Sequence, residues 1–98
     1  MPEMTFEVRW PDGTTQRCYS PSLVMHDYLS AGKSYTVHDF VDRSTRALSE
    51  ASERVRAKFG FACTSAADTT ERITTAAARF PEQAVIEITR MHPALEQS

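Results

Sequence analysis

The sequence predicts an α+β fold in the order β-β-α-α-β, with a small three-stranded sheet packed on a helix pair. Three observations carry this. Residues 4–10 alternate strictly between apolar and polar, residues 37–59 repeat apolar side chains every three or four positions, and residues 84–90 alternate again. Period two marks a half-buried strand and period 3.6 an amphipathic helix.

Met4, Phe6, Val8 and Trp10 form the apolar set of the first strand, with Thr5, Glu7 and Arg9 between them. Pro11-Asp12-Gly13 supplies turn chemistry, because Pro presets φ, Asp favours the bend and Gly accepts positive φ. Thr14–Tyr19 completes a hairpin ending at Ser20-Pro21. From Ser20 to Ser34 the periodicity fails, and Leu23, Val24, Met25, Tyr28 and Leu29 suit a short helix or an irregular cover equally well.

Thr36 is the expected cap of the long helix, with Asp39 in a capping-box position. Its stripe is Val37, Phe40, Val41, Ser44, Ala47, Leu48, Ala51, Val55 and Phe59, and Gly60 stops it, with Phe61 folding back on Val55 or a neighbour. Ser65 is expected to cap the second helix, with Asp68 three residues on, and Ile73, Ala76, Ala77 and Phe80 as its buried face before Pro81. The last strand is expected at 84–90, with Ala84, Ile86 and Ile88 inward. An antiparallel helix pair would return it parallel to the first strand, in the sheet order 2-1-3. Thr5, Glu7, Arg9, Arg17, Tyr19, Glu87 and Thr89 then occupy the uncovered sheet face, open to solvent or to a second subunit in a homodimer.

A chain of 98 residues suits one domain, with residues 1–3 and 92–98 expected to be flexible. Net charge is −2, and eleven basic residues against thirteen acidic ones argue against nucleic acid as a partner. The basic residues Arg43, Arg46, Arg54, Arg56 and Lys58 read as a helix-dipole complement and solvated face. No apolar run reaches the roughly 20 residues of a membrane span, and strand-like alternation begins at the N-terminus, so the expected location is the cytoplasm, with no membrane contact and with reduced cysteines.

Candidate chemistry is sparse. Cys63, just ahead of a helix start, would feel the positive dipole end, against the alternative of a small packing residue. Cys18 lies in Cys18-Tyr19-Ser20-Pro21-Ser22, on a face the alternation leaves open. A dyad of either cysteine with His26 would permit covalent catalysis. Ser20 and Ser22 lack a nucleophile-elbow glycine pattern and suit backbone capping at the strand exit. Gly32-Lys33-Ser34 lacks the first glycine of a phosphate loop, where Asp27 stands instead. Neither Cys18 nor Cys63 pairs with His26, His38 or His92 at metal-ligand spacing, so neither metal nor cofactor is expected. Trp10, Tyr19, Tyr28 and Tyr35 are read as core or core rim, or else as a binding patch if they share a surface.

The stretches Met1–Phe6 through Arg17–Ser22, Tyr35 with Phe40-Val41, and Ala51–Cys63 resemble the nitrogen-starvation response family of small bacterial proteins. The resemblance runs from residue 1 to about residue 90. It implies a role in nitrogen-limited growth and a gene neighbourhood encoding a nitrilase, a radical-type iron–sulfur enzyme and an acetyltransferase. It carries over no catalytic residue. The expected function is a non-catalytic accessory protein that binds an enzyme of that cluster or a small metabolite. The alternative is a small enzyme or carrier using Cys63 or Cys18. Cys18, Tyr19, Ser20, Ser22 and Cys63 are the candidate functional residues.

Overall fold

Alternation in the first strand becomes a two-sided surface. The computed structural model describes residues 3–60 and 64–93. In β1 (Met4–Arg9), Met4, Phe6 and Val8 are buried while Thr5 and Glu7 are half-buried on the opposite side. Trp10 accepts the turn, donating its amide to the Thr14 carbonyl (2.8 Å), and Gly13 takes the positive φ of 88°. β2 (Thr15–Ser20) returns antiparallel, with Phe6 opposite Cys18 and Glu7 opposite Arg17.

Where periodicity fails, the chain forms a 3-10 turn at Leu23–Asp27 whose Val24 and Met25 enter the core. A further strand, β3 (Ser34–Thr36), leads directly into the long helix α1 (Val37–Phe59). Thr36 caps that helix, accepting the Asp39 amide at Oγ1 (3.1 Å), but Asp39 turns its carboxylate to Arg43 (2.9 Å) instead of closing a capping box. Val37 and His38 donate their amides to the carbonyls of Ala84 and Glu82, so the first-turn donors are spent on the protein itself. Helix α2 (Thr64–Ala77) and strand β4 (Val85–His92) complete the chain.

The sheet has four antiparallel strands in the order β2-β1-β4-β3, in place of the expected three with a parallel last strand. The cause is β3. It reverses the chain once more before the helices, so β4 comes back antiparallel to β1. With three residues, only Tyr35 of them partly buried, β3 is too short to show a period in sequence.

The expected α1 stripe is buried from Val37 to Val55, with Val41 at its half-buried edge, whereas Phe59 is 52% exposed, one turn beyond the core. Ser65 lies inside α2, which already begins at Thr64, so it is not the cap. The expected back-folding of Phe61 falls outside the described residues. Phe40 meets Trp10 edge-on with centroids 5.6 Å apart, and Phe80 stacks on Trp10 at the same distance, so three aromatics close one end of the core.

β4 departs from simple alternation. Val8 pairs with Ile88 and Glu7 with Arg90, which leaves Thr89 as an extra residue in a β-bulge. The bulge reverses the strand's phase. Ile86, Ile88 and then Met91 are buried, and Arg90 stands beside Glu7 on the uncovered face.

Candidate functional site on the open sheet face

Of the five sequence candidates, Cys18, Ser20 and Ser22 are buried and Tyr19 is half-buried. Cys18 is 3% exposed, opposite Phe6 in the core, and burial pushes its thiol up to about 12, outweighing the Arg72 charge that pulls it down. At neutral pH it is a protonated packing group, because the thiolate is the nucleophile. Ser20, fully buried, donates its hydroxyl to the Ser22 carbonyl (2.8 Å) and accepts the Ser22 amide (3.3 Å). Ser22 in turn accepts the Val24 amide, capping the 3-10 turn. Both hydroxyls are occupied in holding the strand exit. Cys63 lies outside the described residues. His26 donates from Nε2 to the Pro93 carbonyl (2.9 Å), which commits that ring nitrogen to backbone.

Among the four described candidates, Tyr19 alone shows its side chain on the open face, where its hydroxyl donates to Glu3 (2.9 Å). Its carbonyl accepts the hydroxyl of Thr69 from α2 (2.8 Å), so that helix covers part of the β2 edge. Trp10 is core, while Tyr28 and Tyr35 are half-buried against α1, Tyr28 donating to Glu50 (2.9 Å) and Tyr35 lying under the Arg43 guanidinium (5.2 Å). Tyr28 and Tyr35 thus both meet Arg43, apart from Tyr19 on the open face and Trp10 in the core. The Gly32 amide donates to Ile88 O (2.7 Å), tying the 30–34 loop to β4 and leaving no phosphate cradle there.

What the fold gathers instead is a set of cross-strand rows on the uncovered face. Tyr19, Thr5 and His92 form one row, Arg17, Glu7 and Arg90 the next, and Thr15, Arg9 and Glu87 the third. In the third row Arg9 is ion-paired with Glu87. In the middle row Glu7 accepts the Thr89 hydroxyl at Oε1 (2.8 Å), and both flanking arginines are exposed. Thr5, Phe6, Glu7, Arg17, Arg90 and His92 line a depression of about 240 Å³. A second concavity, of about 790 Å³, runs openly along α2 past Tyr19, Thr64, Ser65, Ala67 and Thr69. Its Asp68 is already closed against Arg72 (3.0 Å).

Alternation had placed Glu7, Arg9 and Arg17 on this face. Arg90 and His92 were beyond it, because an even-numbered residue of β4 points inward until the bulge at Thr89 turns the strand over. Among the described residues no three His, Cys, Asp or Glu side chains converge as a metal site, and no helix is long and apolar enough to cross a membrane.

No curated protein and no solved structure matches the chain. Residues 5–91, which take in both helices and all of the sheet but the first residue of β1 and the last of β4, match the family model of nitrogen starvation-induced protein NitG, and the chain belongs to that family.

Proposed function

We propose that this protein is a non-catalytic accessory protein of nitrogen-limited metabolism that acts by binding, with the open face of its sheet as the binding surface. What it binds is a small metabolite or a partner enzyme; the family resemblance points to an enzyme encoded beside a nitrilase. One observation carries the reading. The described chain spends Cys18, Ser20 and Ser22 on packing and capping, while it leaves charged side chains at a concavity on a face that neither helix covers. Polar groups that serve only solubility need not be gathered around a depression.

The test is native mass spectrometry of the tagged protein recovered from nitrogen-starved cells, beside an Arg17→Ala/Arg90→Ala variant. The expected result is a bound metabolite or enzyme on the parent protein that the variant loses. Equal recovery on both, or none on either, ends this reading.

A further inference from the structure

The sequence contains nine arginines, all within the described residues. Seven of them, Arg9, Arg43, Arg46, Arg54, Arg56, Arg72 and Arg79, are ion-paired with a carboxylate. The other two, Arg17 and Arg90, stand directly opposite the same residue, Glu7, one on each neighbouring strand. Such cross-strand neighbours have Cβ atoms about 5 Å apart, so the missing ion pairs are not a matter of reach. Glu7 Oε1 instead accepts from Thr89, the bulge residue, whose hydroxyl also faces the Glu7 carbonyl (3.3 Å). The bulge thus does two things: it brings Arg90 to the face and it holds the Glu7 carboxylate by a neutral donor.

The result is a row of positive, negative and positive charge at the rim of a depression of about 240 Å³. Guanidinium presents a planar fork that matches a carboxylate, and a carboxylate oxygen matches an ammonium. We infer that this depression binds a small zwitterion of the α-amino-acid type, its carboxylate on the Arg17 and Arg90 guanidiniums and its ammonium on the free oxygen of Glu7. A plain dianion such as phosphate gains the arginines but meets Glu7 as a like charge, so the middle residue of the row selects against it. Thr5 and His92, in the adjoining row, border the same space and add polar contacts.

This inference rests on the open face being the binding surface, and it is tested separately from that reading. The ¹⁵N-labelled protein is titrated by NMR with the common L-amino acids, with inorganic phosphate, and with the desamino acid and the decarboxylated amine of the best binder. The expected result is saturable shifts of the Thr5, Glu7, Arg17 and Arg90 amides by at least one amino acid, with each truncated analogue about tenfold weaker. Glu7→Gln, which keeps an acceptor for Thr89, should weaken the amino acid about tenfold while leaving the desamino acid unchanged or improved. Arg17→Ala/Arg90→Ala should abolish both. Phosphate or the desamino acid binding as tightly as the amino acid overturns the inference, as does the absence of saturable shifts at these residues. A partner retained in cells and lost by the double variant, with no amino-acid response, would sink the zwitterion and leave the binding surface standing.

Discussion

The two faces of one sheet divide the work of this molecule. On the covered face, Met4, Phe6, Val8, Cys18, Ile86, Ile88 and Met91 are buried together beneath α1, α2 and the 3-10 turn. On the open face, Thr5, Glu7, Arg17 and Arg90 come from the same strands, one residue away, and hold polar groups around a depression. Because side chains alternate, each strand contributes to stability with one half of its residues and to recognition with the other. Substitutions one position apart should therefore have opposite phenotypes, and the contrast can be broken in graded ways.

The largest effect is expected from Phe6→Ala. Its ring is 1% exposed at the centre of the covered face, and its removal should cost about 3–5 kcal/mol in urea denaturation. A loss below about 1 kcal/mol would mean that the covered face is not the core.

Next comes the alkaline response of Cys18. Its folded value of about 12 lies above the ordinary 9.0, so the unfolded chain releases the thiol proton first. The associated stability is present below pH 9.0 and is lost as pH rises towards about 12, on the order of 3–4 kcal/mol over the full interval. Denaturation midpoints measured between pH 8 and about 11 should fall more steeply for the parent than for Cys18→Ala. Parallel pH profiles would show that the thiol is not held protonated by burial. The same burial predicts that iodoacetamide modifies Cys18 in the native protein far more slowly than in the unfolded chain.

A smaller effect is expected from Ser20→Ala. It removes the buried hydroxyl that serves both the carbonyl and the amide of Ser22, and should cost about 1–2 kcal/mol. Loss of binding without loss of stability would instead assign this hydroxyl to ligand chemistry.

The smallest stability effect belongs to the open face. Arg17→Ala and Arg90→Ala, each at an exposed and unpaired arginine, should shift stability by less than about 0.5 kcal/mol while removing the binding tested above. If either substitution destabilises by more than about 1 kcal/mol, the row is structural and the comparison between faces collapses.

The legible parts of the fold were those with a repeating signal over many residues. The hairpin follows from alternation in 4–10 and the Pro11-Asp12-Gly13 turn, and α1 from a stripe six turns long ended by Gly60 at φ 80°. The half-legible part was the C-terminal end of that stripe. Phe59 has the right spacing, but the core stops a turn earlier, so position in a helix does not tell whether a partner lies opposite it. β3 was hidden because three residues hold no period, and the reversal it introduces changed the sheet from parallel to antiparallel at β4.

The candidate residues show the same division. Cys18, Ser20 and Ser22 drew attention for their chemistry, yet a thiol or hydroxyl acquires its role from burial and partners, and these three face the core and the backbone. Glu7 and Arg17 could be placed on one face from alternation alone. Local sequence thus determined which residues of each long element point the same way, because side-chain periodicity is a property of a single strand or helix. The tertiary structure alone decided that β3 joins as a fourth strand, that β4 runs antiparallel to β1, and where β4 is bulged. Those depend on pairing between residues as far apart as Glu7 and Arg90, and that pairing sets Arg90 across Glu7 from Arg17, the hairpin partner of the same carboxylate.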